Sequence, residues 1–232
     1  MDARAVFFDL DDTLYPYPPC NEAGKRAALE TARDLGYEFD REEFDAFYRA
    51  GRRATKHELS GTASSHERFL YFKRAVDEHA GTHRAGDARA LGEAYWSAFV
   101  DAMEPFDGVD ETLAGLREAD LTVAVVSNLT TRVQLTKLDA LEIGEYLDHV
   151  LTSQELVREK PSAGMFTNPM ARLDLRPGEV LMVGNDPVND VEGANAVGME
   201  TALFNCDQTD LEDHRQPDHR LDSLSDVLEV VA

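Results

Sequence analysis

Residues 5–14, AVFFDLDDTL, constrain the fold of this chain more than any other segment. A short apolar run, typical of a buried parallel strand, ends abruptly at Asp9, Asp11 and Asp12. Ligands of an open α/β sheet bind at the carboxyl edge of its strands, and residues two apart lie on the same side of an extended chain. Packing alone gives no reason for two acids at that edge. We therefore predict that Asp9 and Asp11 are functional.

Strand and helix patterns alternate in the second half of the chain. Alternation of this kind predicts a parallel sheet with helices on both faces, and hence an α/β fold with a Rossmann-like, doubly wound core. The predicted helices are 110–118, 131–141, 163–173, 189–197 and 223–230, and the predicted strands are 121–126, 149–152, 180–183 and 201–204.

A helical segment interrupts this core directly after the first strand. The sequence YPYPP at 15–19 predicts a rigid turn that stops any helix, and residues 21 to about 102 then follow a helical pattern. Asn21 and Asp40 are predicted N-caps and Gly36 a C-cap. Aromatic residues at helical spacing predict a bundle core. We therefore expect a core domain of residues 1–14 plus 106–232, and a helical domain of residues 15–105.

The charge balance excludes one class of partner. The chain has 45 acidic and 23 basic residues, a formal net charge of −22, and this field repels nucleic acid. Acids dispersed along the whole chain suit a protein from a salt-loving source. The absence of a signal-like or membrane-spanning pattern predicts a cytoplasmic protein without a membrane partner, and Cys20 and Cys206 are predicted to be free thiols.

Polar groups follow the later strands as well, and the strand ends of a doubly wound sheet converge on one crevice. Ser127 and Asn128 follow one strand, Lys160 precedes Pro161, and GNDPVND at 184–190 follows another strand. Carboxylate and carbonyl oxygens suit Mg²⁺. One carboxylate can attack phosphorus while the acid two residues on protonates the leaving oxygen and later activates water. Lys160 and Ser127 would stabilise the charge on the transferred phosphoryl group.

This set of motifs resembles the haloacid dehalogenase superfamily, whose first motif is DxDxT after a strand. The matching positions are Asp9, Asp11 and Thr13 for the first motif, Ser127 for the second, Lys160 for the third and 184–190 for the acidic fourth. The resemblance implies that Asp9 is the nucleophile and Asp11 the acid/base of a Mg²⁺-dependent phosphatase, with the insertion as a C1-type helical cap. Asp11 also speaks against a dehalogenase, because the halide leaving group needs no proton.

The fourth motif departs from the GD that many phosphatases of this superfamily carry. The predicted metal ligands are Asp9, Asp11, one of Asn185 and Asp186, and Asp190, which alternatively orients Lys160 or a water. The charge of Asp186 favours it as the ligand, whereas alignment with the motif points to Asn185.

Two other functions stay open at this point, a phosphomutase of the same superfamily and a phosphoacceptor switch that labels itself once. The expected substrate is a small phosphorylated metabolite, bound by a monomer or homodimer. FFDLDDTLYP resembles pyrimidine 5'-nucleotidase-like members. Nucleotides therefore stand beside phosphoglycolate and sugar phosphates as candidates.

Overall fold

The computed structural model describes residues 2–232, which form two compact units. One unit contains the residues up to Pro16 together with Glu104–Ala232, and the other is Tyr17–Met103. The chain therefore leaves the first unit once and returns to it once. Within the first unit the backbone N–H of Phe106 donates to the carbonyl oxygen of Leu14 over 3.0 Å, joining the two chain segments at the insertion point.

The first unit is built on six parallel strands. These are β1 (Ala5–Phe8), β2 (Thr122–Ser127), β3 (His149–Thr152), β4 (Val180–Gly184), β5 (Glu200–Phe204) and β6 (His219–Leu221). Their order across the sheet is β3-β2-β1-β4-β5-β6, so the direction of winding reverses between β1 and β4. Every residue of β1 and β4 is buried, as expected for strands covered on both faces. The predicted α/β fold with a doubly wound parallel sheet is confirmed.

The second unit is a bundle of four helices, α1 (Tyr17–Asp34), α2 (Arg41–Glu58), α3 (Arg68–Ala80) and α4 (Ala85–Asp101). Helix α1 packs on α4, and α3 packs on both α2 and α4. Asp40 and Glu43 cap each other's backbone N–H groups at the start of α2, each over 2.9 Å, which confirms the predicted cap. The bundle core is aromatic, as its spacing predicts, and includes Phe44, Phe72, Tyr95 and Phe99.

Two expectations for the start of this bundle are wrong. Helix α1 begins at Tyr17, so that Pro18 and Pro19 lie in its first turn, where the N–H that proline lacks has no helical partner in any case. Asn21 is consequently not an N-cap. It lies inside α1, and its side chain accepts hydrogen bonds from the hydroxyls of Tyr17 and Tyr95 over 3.1 and 2.7 Å.

Most helices of the first unit lie close to the predicted segments, whereas the four-residue helix Ser153–Leu156 was not predicted. The helices of this unit are α5 (Val109–Glu118), α6 (Thr131–Ala140), α7 (Ser153–Leu156), α8 (Gly164–Arg172), α9 (Gly193–Asn195) and α10 (Asp226–Val231). The predicted helix 189–197 is instead a π-helix, Pro187–Glu192, which continues into α9. Within residues 2–232, neither Cys20 nor Cys206 is part of a disulfide. In the described part of the chain, every helix is too short or too polar to cross a membrane.

Candidate active site

The end of β1 carries the first two predicted site residues. The ladder between β1 and β4 extends one step beyond Phe8, because the backbone N–H of Asp9 donates to the carbonyl oxygen of Val183 over 2.9 Å. The chain then turns sharply, with both Thr13 and Leu14 donating to the carbonyl oxygen of Leu10. Asp9 is thereby fixed at the carboxyl edge of the sheet, where the winding direction reverses.

Asp9 shares a buried ion-pair cluster with Lys160 and Asp190. The ammonium of Lys160 donates to Asp9 Oδ1 over 2.6 Å and to Asp190 Oδ1 over 2.7 Å, and all three side chains are buried. Burial raises the pKa of Asp9 to about 7, the charge of Lys160 opposes this, and the charges of Asp190 and Asp11 add to it. Burial lowers the pKa of Lys160, but its two carboxylate partners outweigh burial and raise the pKa above its usual value. With both carboxylates ionised, the cluster holds one negative charge in excess.

Gly184 makes room for this cluster. A Cβ atom at Gly184 would stand 2.3 Å from both Cγ and Oδ2 of Asp190, which is far inside van der Waals contact. This Oδ2 also accepts from the backbone N–H of Asp186 over 3.0 Å, while Oδ1 accepts from Lys160. Asp190 is thus held by Lys160, by the π-helix turn and by the absence of a side chain at residue 184.

Asp11 lies in a separate set of contacts. Its Oδ1 accepts from the ammonium of Lys137 over 2.6 Å and from the hydroxyl of Tyr15, and its Oδ2 accepts from Nε2 of Gln134 over 3.3 Å. Burial raises the pKa of Asp11, but the charge of Lys137 and the hydrogen bonds from Lys137, Tyr15 and Gln134 outweigh it, so the pKa is lowered. The two acids at the end of β1 are therefore shifted in opposite directions.

Ser127 and Asn128 at the end of β2 make different contacts. Ser127 Oγ accepts from Nε2 of Gln134 over 2.5 Å, which links it to Asp11 through the same amide. Asn128 binds the main chain of Lys160: its Oδ1 accepts from the Lys160 N–H over 2.7 Å, and its Nδ2 donates to the Lys160 carbonyl oxygen over 3.4 Å. Asn128 thus holds the backbone from which the Lys160 side chain extends.

The fourth motif separates Asn185 from Asp186. Asp186 Oδ1 accepts from the backbone N–H groups of Val188 and Asn189 and so caps the π-helix, while its Oδ2 accepts from the side-chain Nδ2 of Asn189 over 2.7 Å. Asn185 Oδ1, by contrast, accepts one hydrogen bond from the residues 2–232 that the structure describes, a long one of 3.5 Å from the buried hydroxyl of Thr13. Of the two side chains, Asn185 has the oxygen with more capacity for another partner.

The donor set has the chemistry of a magnesium site rather than of an all-protein cage. Within residues 2–232, no group of three or more His, Cys, Asp or Glu side chains is arranged to hold a metal by itself. Mg²⁺ commonly binds one or two carboxylates and completes its shell with water and substrate phosphate. The excess negative charge around Asp9 and the amide oxygen of Asn185 fit such an ion.

The structure brings all the predicted site residues to one edge of the sheet, in the contacts described above. Sequence reasoning missed Tyr15, Gln134 and Lys137. A signal for the last two was present, because a glutamine and a lysine three positions apart share one face of a helix. Both are buried, and Lys137 is one of only five lysines in the chain.

Comparison with known proteins identifies the family. The family model of the haloacid dehalogenase-like hydrolases matches residues 6–204. A ribulose-1,5-bisphosphate 5-phosphatase of Halopiger xanaduensis is 53% identical over 99% of this chain and 100% of the relative. A glyceraldehyde 3-phosphate phosphatase of Methanothermobacter thermautotrophicus is 31% identical over 91% of this chain and 90% of its own.

A solved structure with the same fold is 2-haloacid dehalogenase from Pseudomonas syringae, with a TM-score of 0.77, 23% identity, and coverage of 99% of this chain and 98% of that chain. At this identity the likeness shows the fold alone. The chain belongs to the haloacid dehalogenase-like hydrolase family. The predicted superfamily and the prediction of an enzyme, a phosphoric monoester hydrolase, are confirmed.

Proposed function

We propose that this hydrolase is a Mg²⁺-dependent phosphatase of a sugar phosphate and that it works through an aspartyl-phosphate on Asp9. The observation that carries the proposal is the pairing of Asp9 with Lys160 at the point where the sheet reverses, with Asp11 two residues on. A nucleophilic carboxylate, a cation beside it and a second acid are the groups that phosphoryl transfer through a covalent intermediate requires.

The residues that would hold Mg²⁺ are Asp9 through its carboxylate, Asp11 two residues on, and Asn185 through its amide oxygen. Asp186 caps the π-helix with Oδ1 and binds the Asn189 side chain with Oδ2, and Asp190 is bound to Lys160 and to the Asp186 N–H, so we assign these two to positioning. When bound, the ion would neutralise charge on the phosphate and orient it towards Asp9.

In the first half-reaction, a carboxylate oxygen of Asp9 forms a bond to phosphorus as the bond from phosphorus to the ester oxygen breaks. Asp11 gives its proton to the departing oxygen, which leaves as an alcohol. Lys160 and the hydroxyl of Ser127 stabilise the negative charge of the transferred phosphoryl group. The Lys160 ammonium is held ready for this by Asp190 and by the contacts of Asn128 to its main chain.

In the second half-reaction, Asp11 takes a proton from water as the water oxygen attacks phosphorus. The bond between phosphorus and the Asp9 oxygen breaks, which releases inorganic phosphate and restores the Asp9 carboxylate. Asp11 is thereby returned to its protonated form for the next cycle. The lowered pKa of Asp11 favours the ionised state that this second step needs and leaves a smaller protonated fraction for the first step.

Two relatives support the proposed substrate class. The 53% identical relative is a ribulose-1,5-bisphosphate 5-phosphatase and the 31% identical relative is a glyceraldehyde 3-phosphate phosphatase. Both names describe a phosphate ester of a small sugar, which favours a sugar phosphate over a nucleotide or phosphoglycolate for this chain. The unit Tyr17–Met103 corresponds, by its position directly after the first motif, to the superfamily's C1-type cap.

Release of inorganic phosphate from a panel of esters tests the proposal. The panel contains ribulose 1,5-bisphosphate, glyceraldehyde 3-phosphate, phosphoglycolate and a nucleoside monophosphate, each with and without Mg²⁺ in concentrated KCl. We expect Mg²⁺-dependent release, fastest from ribulose 1,5-bisphosphate, and ³¹P NMR then identifies which of its two phosphates is removed.

Asp9→Asn is the matched control, because an amide of the same size cannot attack phosphorus at a useful rate. The proposal is overturned if no ester is hydrolysed with Mg²⁺ present, or if Asp9→Asn retains the wild-type rate. A single stoichiometric labelling without turnover would assign the chain to phosphoacceptor switches instead.

A further inference from the structure

Lys137 is a buried cation that the mechanism above does not use. It lies on α6, it is 1% exposed, and its ammonium donates to Asp11 Oδ1 over 2.6 Å while standing 5.6 Å from the centre of the Tyr15 ring. Removing an ammonium from water is costly, and a hydrophobic residue of similar volume often stabilises a core at least as well. A lysine here is therefore better explained by what it does to Asp11 than by packing.

Gln134 lies three residues before Lys137 on the same helix and extends this arrangement. Its Nε2 reaches Asp11 Oδ2 over 3.3 Å, Ser127 Oγ over 2.5 Å and the Asn128 carbonyl oxygen over 3.2 Å. Its Oε1 is buried and, within residues 2–232, makes no hydrogen bond. An unsatisfied buried carbonyl costs about 1–3 kcal/mol. Gln134 bears this cost while the two N–H donors of its amide are shared among three acceptors of the site.

Together the two side chains bind both oxygens of the Asp11 carboxylate. Lys137 binds Oδ1 and Gln134 binds Oδ2, so the plane of the carboxylate is fixed relative to α6 and to Ser127. A reacting group displaced by about 1 Å can lose on the order of 100-fold in rate. Asp11 must meet the leaving oxygen in one step and a water in the next, which makes its orientation decisive in both.

We propose that Lys137 is a positioning residue that holds the Asp11 carboxylate for proton transfer. Gln134 fixes the position of the same carboxylate relative to Ser127. The proposal rests on the phosphatase function proposed above. Lys137 acts through Asp11 and touches no reacting atom. Its loss therefore damages the steps that need Asp11 and spares those that do not.

The test compares Lys137→Met, which keeps the length of the side chain, with Lys137→Arg, which keeps the charge. Arg132→Met is the matched control, because it removes a charge from the exposed face of the same helix. We expect Lys137→Met to lower kcat for the sugar phosphate by roughly 10–100-fold with KM little changed, and Lys137→Arg to recover part of the loss.

Comparing two leaving groups distinguishes a role in proton transfer from a merely structural role, because a merely structural defect would affect both esters alike. Para-nitrophenolate leaves without a proton, so Lys137→Met should still phosphorylate Asp9 from para-nitrophenyl phosphate and then hydrolyse the intermediate slowly. Rapid-quench kinetics should show a stoichiometric burst of nitrophenolate followed by slow turnover. The fractional loss of kcat for the sugar phosphate should be larger than the fractional loss of the rate constant of the nitrophenolate burst.

Wild-type kcat in Lys137→Met would overturn the inference, as would a raised KM with unchanged kcat, or a burst lost in proportion to turnover. Circular dichroism checks that the variant is folded. If Lys137→Met does not fold, Gln134→Leu is measured in the same way, and absence of the burst there overturns the inference. A wild-type protein that hydrolyses no ester refutes the proposed function itself, whereas an active wild type matched by Lys137→Met refutes only the role of Lys137.

Discussion

Replacing Asp9 by asparagine should make the metal-free protein more stable at neutral pH, although it should abolish turnover. Asp9 is 8% exposed, and it shares one ammonium with the carboxylate of Asp190. The substitution removes the excess negative charge of the cluster and leaves Lys160 paired with Asp190. The ionised carboxylate of Asp9, the proposed nucleophile, should therefore lower the stability of the fold, and the variant should reveal by how much.

The raised pKa of Asp9 gives the magnitude. Burial first, and then the charges of Asp190 and Asp11, hold the pKa at about 7 in the folded protein, against the ordinary value of 3.8. The folded state therefore binds more protons than the unfolded chain between these values, and the wild type loses stability as pH rises through that window. At about 1.4 kcal/mol per pH unit, ionising Asp9 costs roughly 4 kcal/mol once the pH exceeds 7.

Urea unfolding followed by circular dichroism, at constant KCl and with EDTA, measures this difference. We expect the stability advantage of Asp9→Asn over wild type to grow by roughly 3 kcal/mol between about pH 5 and pH 8. Adding Mg²⁺ should stabilise the wild type much more than the variant, because binding to the folded state alone raises its stability.

Asp11→Asn is the matched control and should show the opposite sign. The pKa of Asp11 is lowered, so its carboxylate contributes stability that is present above the ordinary pKa and is lost as pH falls through the folded one. The variant should therefore be less stable than wild type at neutral pH, with Lys137 left beside an amide. An Asp9→Asn advantage that does not change with pH, or the same sign for both variants, would refute this reading of the cluster.

Three further predictions concern single positions. Gly184→Ala should reduce activity and destabilise the fold by about 1–3 kcal/mol in urea unfolding, because the new methyl group would displace Asp190; wild-type values for both would contradict this. Val157 is a β-branched, exposed residue at φ 67°, so Val157→Gly should raise the free energy of unfolding by about 1 kcal/mol, and a decrease would show that the left-handed backbone carries no strain there. In Mg²⁺ titrations of activity, Asn185→Ala should need much more Mg²⁺ than wild type, whereas Asp186→Ala should mainly lower stability; the reverse order would make Asp186 the ligand.

The fold was largely predictable, because its central strands are continuous apolar runs with acids at one end. Strand β6 escaped prediction, since His219 and Arg220 give a three-residue edge strand no apolar pattern. The turn predicted from YPYPP was wrong because proline breaks a helix only beyond its first turn. The π-helix after Asp186 was read as a regular α-helix, since hydrophobic periodicity cannot show how a carboxylate caps a wider turn.

The candidate site was predictable wherever a polar residue directly follows a strand, because the sheet itself brings those positions together. Lys137 and Gln134 stand on a helix instead, and their role depends on how α6 is rotated against the end of β1. Sequence spacing places the two on one face of α6 but does not say what that face meets. The choice between Asn185 and Asp186 as the metal ligand likewise depends on the hydrogen bonds that Asp186 accepts from the following turn.

The hydrogen bond from Phe106 N–H to the Leu14 carbonyl oxygen closes the chain on both sides of Tyr17–Met103. With respect to the first unit, that whole segment is therefore a loop. The ends of that loop are pinned by core backbone, and the entropy of closing a loop rises only slowly with its length. The stability of the first unit should therefore depend only weakly on the number of residues between Leu14 and Phe106. An insertion of very different size or architecture can occupy the same two attachment points while the parallel sheet stays unchanged.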